Sequence, residues 1–194
     1  MENKKLAAVC MHAEPGNVER NLERIRQFTL EASAKGAAMV SFPELSVTGY
    51  MLQRPEEAYR RGDHREVLQR IVSIAQEAGV VLIAGLVEPS DAGLPFISQV
   101  VAGPGGLLGI HRKTHLSPPE KTAYRAGEEI RVFSWESTVF GVLLCYEAHF
   151  PELATLAALA GAEVLFVPHA SPGDDPEGKF RSWMRHLPAR AFDN

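Results

Sequence analysis

Residues 80–87 form a run of eight uncharged positions between Gly79 and Glu88, nearly all of them aliphatic. A run this short, rich in Val and Ile, reads as a strand. A strand without a polar face must be covered on both sides. Whatever else the chain does, it has to supply those two covering layers. Two amphipathic segments can supply one of them. Asn17 can cap a helix that reaches about Lys35, with Val18, Leu22, Ile25, Phe28 and Ala32 at helical spacing and Gly36 as its stop. A second helix is predicted over residues 65–77, ending at Gly79. The loop between the two, rich in Gly, Tyr, Arg and Pro, is predicted to run to about Gly62.

Shorter apolar runs at residues 6–11, 37–42, 130–135, 139–144 and 164–167 are predicted strands. Those at 96–101 and 107–111 flank Gly103, Pro104, Gly105 and Gly106, a turn signal that predicts a hairpin. Pro151 suits the first turn of a helix that stops at Gly161, and a last helix over 179–194 is interrupted near Pro188. Crossover helices and a hairpin in one chain imply an α/β fold with a mixed sheet and helices on outer faces. A helix layer on one side and a second sheet on the other satisfies that order. A single three-layer arrangement does so equally well.

At 194 residues, 45% of them hydrophobic, the chain can build one domain with a sizeable core. The net charge of -4 and the lack of a basic stripe argue against a nucleic-acid partner. Arg181, Arg185 and Arg190 are spaced as one solvated helix face. No apolar run is long enough to span a membrane, and no signal region follows Met1. The two cysteines, Cys10 and Cys145, make no disulfide framework and no metal spacing, so a reduced, cytoplasmic protein without a cofactor is expected. Cys10 lies inside an apolar run with no acid or base beside it and is expected to pack. Cys145 follows a predicted buried strand and precedes a predicted helix. That placement suits a nucleophile, with nearby N–H groups to receive a developing negative charge, but a lone Cys after an apolar strand is more often a small buried hydrophobe.

Two further strand ends carry chemistry: Glu44, after Phe42 and Pro43, and Lys113, between Arg112 and Thr114. Sites in open α/β folds collect beyond the carboxyl ends of strands, so three such ends together weigh more than any one. Glu120 lies in the loop that Lys113 begins. His111 and His115 are four apart, but they flank a strand end and no third metal ligand is indicated.

These blocks resemble the nitrilase, or carbon-nitrogen hydrolase, superfamily. The segment from Phe42 to Tyr50 resembles its general-base block, the segment from His111 to Leu116 with Glu120 and Gly127 downstream its lysine block, and the segment from Gly141 to Glu152 its nucleophile block. The resemblance covers the whole chain in register. It implies an α-β-β-α sandwich over residues 1–194, a Glu44-Lys113-Cys145 triad, and support of the lysine by Glu120. It implies a thiol-dependent amidase for a small linear amide or N-carbamoyl compound, with no cofactor and no metal. A nitrilase, an acyltransferase and a non-catalytic interaction module are the alternatives. Tyr50, Tyr146, Glu147, His149 and His169 are the candidate substrate contacts, with a structural hydrogen bond as the favoured alternative for Glu147, and Tyr124 is a further candidate for the pocket wall. Family members acting on carboxylate-bearing substrates carry Asp and Arg where Glu147 and His149 stand here. A dicarboxylic monoamide is therefore disfavoured, because imidazole lacks the permanent bidentate charge of guanidinium. The family usually continues beyond the block ending at Asn194 into further strands and a tail that reaches a partner subunit. A homodimer or higher homo-oligomer is therefore expected, along with a second sheet short of strands and an open edge.

Overall fold

A computed structural model describes residues 3–59, 63–91, 93–170 and 175–194, so the predicted loop to Gly62 is described only as far as Tyr59. The first sheet holds β1 (Lys5–Ala8), β2 (Ala37–Ser41), β3 (Val81–Glu88), β4 (Phe96–Gly103) and β5 (Gly106–Arg112), in that spatial order. β1, β2 and β3 are parallel, and β3, β4 and β5 are antiparallel. Parallel neighbours need crossovers, and α1 (Val18–Ala34) and α2 (His64–Ala78) are those crossovers. The second sheet holds β6 (Val132–Trp135), β7 (Thr138–Val142) and β8 (Val164–Phe166), with α3 (Pro151–Leu159) crossing from β7 to β8. α4 (Pro176–Trp183) and α5 (Leu187–Asp193) follow.

The two-residue period of the strands sorts the core into layers. On β3, Leu82, Ala84 and Leu86 face α1 and α2, where Leu22, Ile25, Val67 and Ile71 meet them. Val81, Ile83 and Val87 face the other way, onto Phe133, Phe140, Val142 and Phe166 of the second sheet. Leu143, one residue out of phase with Val142 and Leu144, packs instead with Leu153 and Ala154 of α3. The result is helix, sheet, sheet, helix: the four-layer sandwich, not the three-layer arrangement. Each fully buried Leu or Ile stabilises it by about 1.5–3 kcal/mol.

Local signals account for the boundaries. The Asn17 side chain accepts from Arg20 N–H at the start of α1, and Asp63 does the same from Arg65 at α2. Gly79 closes α2 in the left-handed region, as only glycine does without strain. Two expectations are corrected, on Cys10 and on the arginine face, while the expected interruption of the last helix near Pro188 is present. β1 ends at Ala8, which leaves Cys10 outside the sheet and exposed, not packed. The last helix is two, broken at residues 184–186 before Pro188, which sits in the first turn of α5 where a missing N–H costs nothing. That break puts Arg181 on α4, Arg190 on α5 and Arg185 between them, so they share no helix face.

Candidate active site

Glu44 sits three residues past the end of β2, in a loop that continues beside β3. Val47 N–H donates to Gly85 O at 2.8 Å, and the Ser46 and Thr48 hydroxyls accept from the Gly85 and Val87 N–H groups at 3.1 Å each. Gly85 is a requirement of this contact, since a Cβ there would lie 2.3 Å from Leu45 N and 3.0 Å from the Glu44 carbonyl carbon. Lys113 follows β5 directly, with its N–H bonded to Ile97 O at 2.8 Å. Gly127 passes against that strand end, where a Cβ would meet Arg112 O at 2.5 Å. Cys145 begins the turn Cys145–His149 after β7 with φ +46°, a left-handed conformation that costs a non-glycine residue about 1–2 kcal/mol. Its N–H is held by Pro168 O at 2.9 Å.

These elements bring one cation between two carboxylates. Lys113 Nζ donates to Glu44 Oε1 at 2.7 Å and to Glu120 Oε1 at 2.9 Å, with all three side chains nearly inaccessible. Glu120 Oε2 accepts from Ser117 N–H at 2.7 Å, and Tyr50 OH donates to Glu120 Oε1 at 3.2 Å. The Ala170 N–H reaches Glu44 Oε2 at 3.2 Å, and Cys145 lies near enough to Glu44 and Lys113 for both charges to act on its thiol.

The electrostatics follow from burial. It opposes the charge on Lys113, but Glu44 and Glu120 outweigh it and the ammonium is held more firmly than usual. Burial raises Glu44 against the pull of Lys113, which leaves a carboxylate more basic than a surface one. The Cys145 thiol is pushed up to about 12, by burial first and then by Glu44, with Lys113 opposing. The resting residue is therefore a thiol, and its proton must leave as the sulfur attacks.

The remaining candidates separate. Tyr50 stands at the cluster through Glu120. Tyr124 is buried and donates to Met51 O, which makes it wall and not reactant. Tyr146 lines a cavity of about 470 Å³ together with His115 and Phe150. His149 stacks on His186 at 4.4 Å between ring centres. Glu147 takes the structural hydrogen bonds that were its alternative to a substrate contact. Its side chain is fully buried, with its oxygens engaged by His111, Thr114 and Leu144. His111 and His115 diverge as well, the first to Glu147 and the second onto Phe150 at 4.2 Å. Among the described residues no cluster of three or more His, Cys, Asp or Glu could hold a metal. The amide of Ala170 was invisible to residue-type reasoning, because a backbone N–H has no sequence signature.

His169 lies against Trp183 at 4.5 Å, and its Nδ1 is 2.7 Å from Val167 O. Burial, the largest cause, lowers its pKa to about 4. An unfolded imidazole titrates near ~6.5. Between those values the unfolded chain takes a proton that the folded chain refuses, so stability falls as pH drops through this window. The loss reaches roughly 3 kcal/mol at its acid end. His169→Gln is expected to flatten the decline of unfolding temperature between pH 6.5 and 4. Melts with parental slope would show that His169 does not carry it.

Residues 5–194 match the carbon-nitrogen hydrolase family. The chain is 34% identical over 168 residues to a protein named nitrilase from Pyrococcus abyssi, covering 84% of this chain and 64% of that one. It is 32% identical over 184 residues to an omega-amidase of Xenopus tropicalis, covering 90% of this chain and 65% of that one. It thus spans somewhat less than two thirds of these curated relatives. Among solved structures it is similar to an amidase from Nesterenkonia sp., with a TM-score of 0.83 and 30% identity over 96% of this chain and 71% of that one. A mutant of that amidase, with a TM-score of 0.85 and 29% identity over 99% of this chain and 75% of that one, shows acrylamide added at its active-site cysteine. With a matching fold, a buried Glu-Lys-Glu cluster beside a strand-end cysteine, and a family match over nearly its whole length, this chain belongs to the carbon-nitrogen hydrolase family.

Proposed function

We propose that the chain is the catalytic domain, over residues 1–194, of a thiol-dependent amidase acting on a small linear amide or N-carbamoyl compound. The observation that carries this reading is Lys113, buried between Glu44 and Glu120 beside Cys145. Glu44 removes the thiol proton as Cys145 Sγ bonds to the amide carbon. The carbonyl π electrons move to oxygen, where the Lys113 ammonium and the Tyr146 N–H stabilise the oxyanion. Collapse breaks the carbon–nitrogen bond, and Glu44 hands its proton to the departing ammonia or amine. Water then attacks the thioester while Glu44 takes its proton. The second collapse expels the sulfur, which recovers that proton. Glu120 and Tyr50 keep Lys113 aimed, and His149 and His169 complete the wall.

A nitrile would meet the same sulfur, and the name of the Pyrococcus relative keeps that reading in view. The reading extends to a reduced, cytoplasmic setting, supported by the free thiols of Cys10 and Cys145. It extends also to self-association into a homodimer or higher oligomer, supported by Leu159 on α3 and Phe192 on α5, 80% and 90% exposed. No helix among the described residues is long and apolar enough to cross a membrane.

Intact-mass measurement with a panel of amides, carbamoyl compounds and nitriles, alongside an ammonia assay, tests the chemistry. The expected result is an acyl adduct on Cys145 with ammonia release, and neither in Cys145→Ala. A parent that neither labels nor turns over any panel member would end the amidase reading.

A further inference from the structure

The two halves of the site belong to different sheets. Lys113 ends β5 of the first, and Cys145 follows β7 of the second. Among the described residues no ladder joins these sheets, and most of what holds them face to face is apolar packing. Such contacts are non-directional and set no sub-ångström register by themselves. The Glu44–Ala170 bond crosses the gap at the site, and the Glu147 side chain crosses it with several directional bonds. Glu147 Oε1 accepts from Thr114 N–H at 2.8 Å and from Thr114 Oγ1 at 2.6 Å, one residue beyond Lys113. Its Oε2 lies 2.9 Å from His111 Nε2, two residues before Lys113, and accepts from Leu144 N–H at 2.6 Å, one residue before Cys145. Glu147 N–H also donates to Leu144 O at 3.0 Å, so Leu144 is gripped at both its polar groups. That grip braces the residue just before the left-handed Cys145, whose φ of +46° needs an external restraint.

We propose that Glu147 is a positioning residue: its carboxylate locks the strand end carrying Lys113 to the strained turn carrying Cys145. Turnover depends on it through those two residues and not through contact with substrate. The inference rests on the roles given above to Lys113 and Cys145. It accounts for the charge state as well as the length of the side chain. Burial opposes ionisation of Glu147, but the bonds to His111, Thr114 and Leu144 outweigh it and hold the carboxylate ionised. An ionised carboxylate is acceptor-only, which is what two backbone N–H groups converging on it from opposite sheets demand. A carboxamide of the same shape cannot serve both. Whichever way it is turned, its NH2 faces the N–H of Thr114 or that of Leu144.

The test is Glu147→Gln, with kcat and KM measured per folded enzyme on an amide that the parent turns over. Alongside, the alkylation of Cys145 by iodoacetamide is followed against pH by peptide-resolved mass spectrometry, which separates it from the exposed Cys10. A misplaced nucleophile is expected to lower kcat roughly a hundredfold, with KM nearly unchanged. Release of the turn should also move the alkylation profile from the protected value of about 12 toward that of an ordinary thiol. Parental kcat, a loss carried by KM, or an unmoved alkylation profile would overturn the proposal. Should Glu147→Gln not fold, Thr114→Val decides: it removes one bond to Oε1, and is expected to lower kcat roughly tenfold. Parental kcat in that variant would overturn the proposal too. Should the parent turn over no amide, the amidase reading fails by itself, and the alkylation profiles of the same variants still settle whether Glu147 locks the turn.

Discussion

Replacing Lys113 with alanine is expected to lower amide turnover by roughly a thousandfold and to lower the unfolding temperature as well. The kinetic loss follows from its proposed place at the oxyanion, where removing one donor costs roughly a hundred- to a thousandfold. The stability loss follows from the charge count. Nζ lies 2.7 Å from one buried carboxylate and 2.9 Å from another. Without the ammonium, two like charges remain out of water with no counter-ion, and breaking such a set costs about 3–5 kcal/mol. The two effects can be told apart by pH. In the variant a carboxylate is driven to keep its proton, so its folded pKa lies above the unfolded value. The folded state then recovers stability as pH falls, and loses it as pH rises through that folded pKa. The deficit in unfolding temperature should therefore shrink between pH 7 and pH 5. Lys113→Met, which keeps the volume of the side chain, should show the same trend. Ammonia release and melts at several pH values check both claims. Unchanged turnover would remove Lys113 from the oxyanion, and a deficit independent of pH would mean that the cluster holds no net charge.

Glu44→Gln should move two rates in opposite directions. Amide turnover is expected to fall by about 10²–10⁴, because no general base remains to accept the thiol proton or to return it to the leaving group. Alkylation of Cys145 should become easier at neutral pH. The charge of Glu44 is the largest cause after burial of the raised thiol pKa, and the carboxamide no longer opposes the thiolate. A reagent such as iodoacetamide needs only thiolate, whereas an amide needs a proton delivered to its nitrogen. Kinetics on an amide, set against alkylation resolved at Cys145, read both. If the two rates fell together, the substitution would have damaged the site as a whole and Glu44 would lose its assignment as base.

The need for two covering layers and the ends of the strands were legible in the chain because they depend on local pattern, whereas local pattern left the four-layer and three-layer arrangements open. Residues 80–87 announce a strand covered on both faces, and β3 is such a strand, buried at every position. Asn17, Gly79 and the glycines at 103–106 mark boundaries through caps and turns that act within a few residues. Cys10 was misread because the apolar run that contains it outlasts the pairing of β1 with β2, and only that pairing decides where the strand stops. For Glu147, two residues after the nucleophile, the sequence left open both a place at the substrate and a structural hydrogen bond. The packing of one sheet on the other turns it inward, to partners at residues 111, 114 and 144.

By itself, the sequence determined the order of elements, the family and the three strand ends at which Glu44, Lys113 and Cys145 stand, since each is written in residues adjacent along the chain. Tertiary structure alone decided that Lys113 is shared between two carboxylates, that the Ala170 amide reaches Glu44, and that Glu147 bridges the sheets. Each of those contacts joins residues from different strands or loops. Its geometry is set by how two sheets pack, which depends on the summed shape of the core and not on any local pattern.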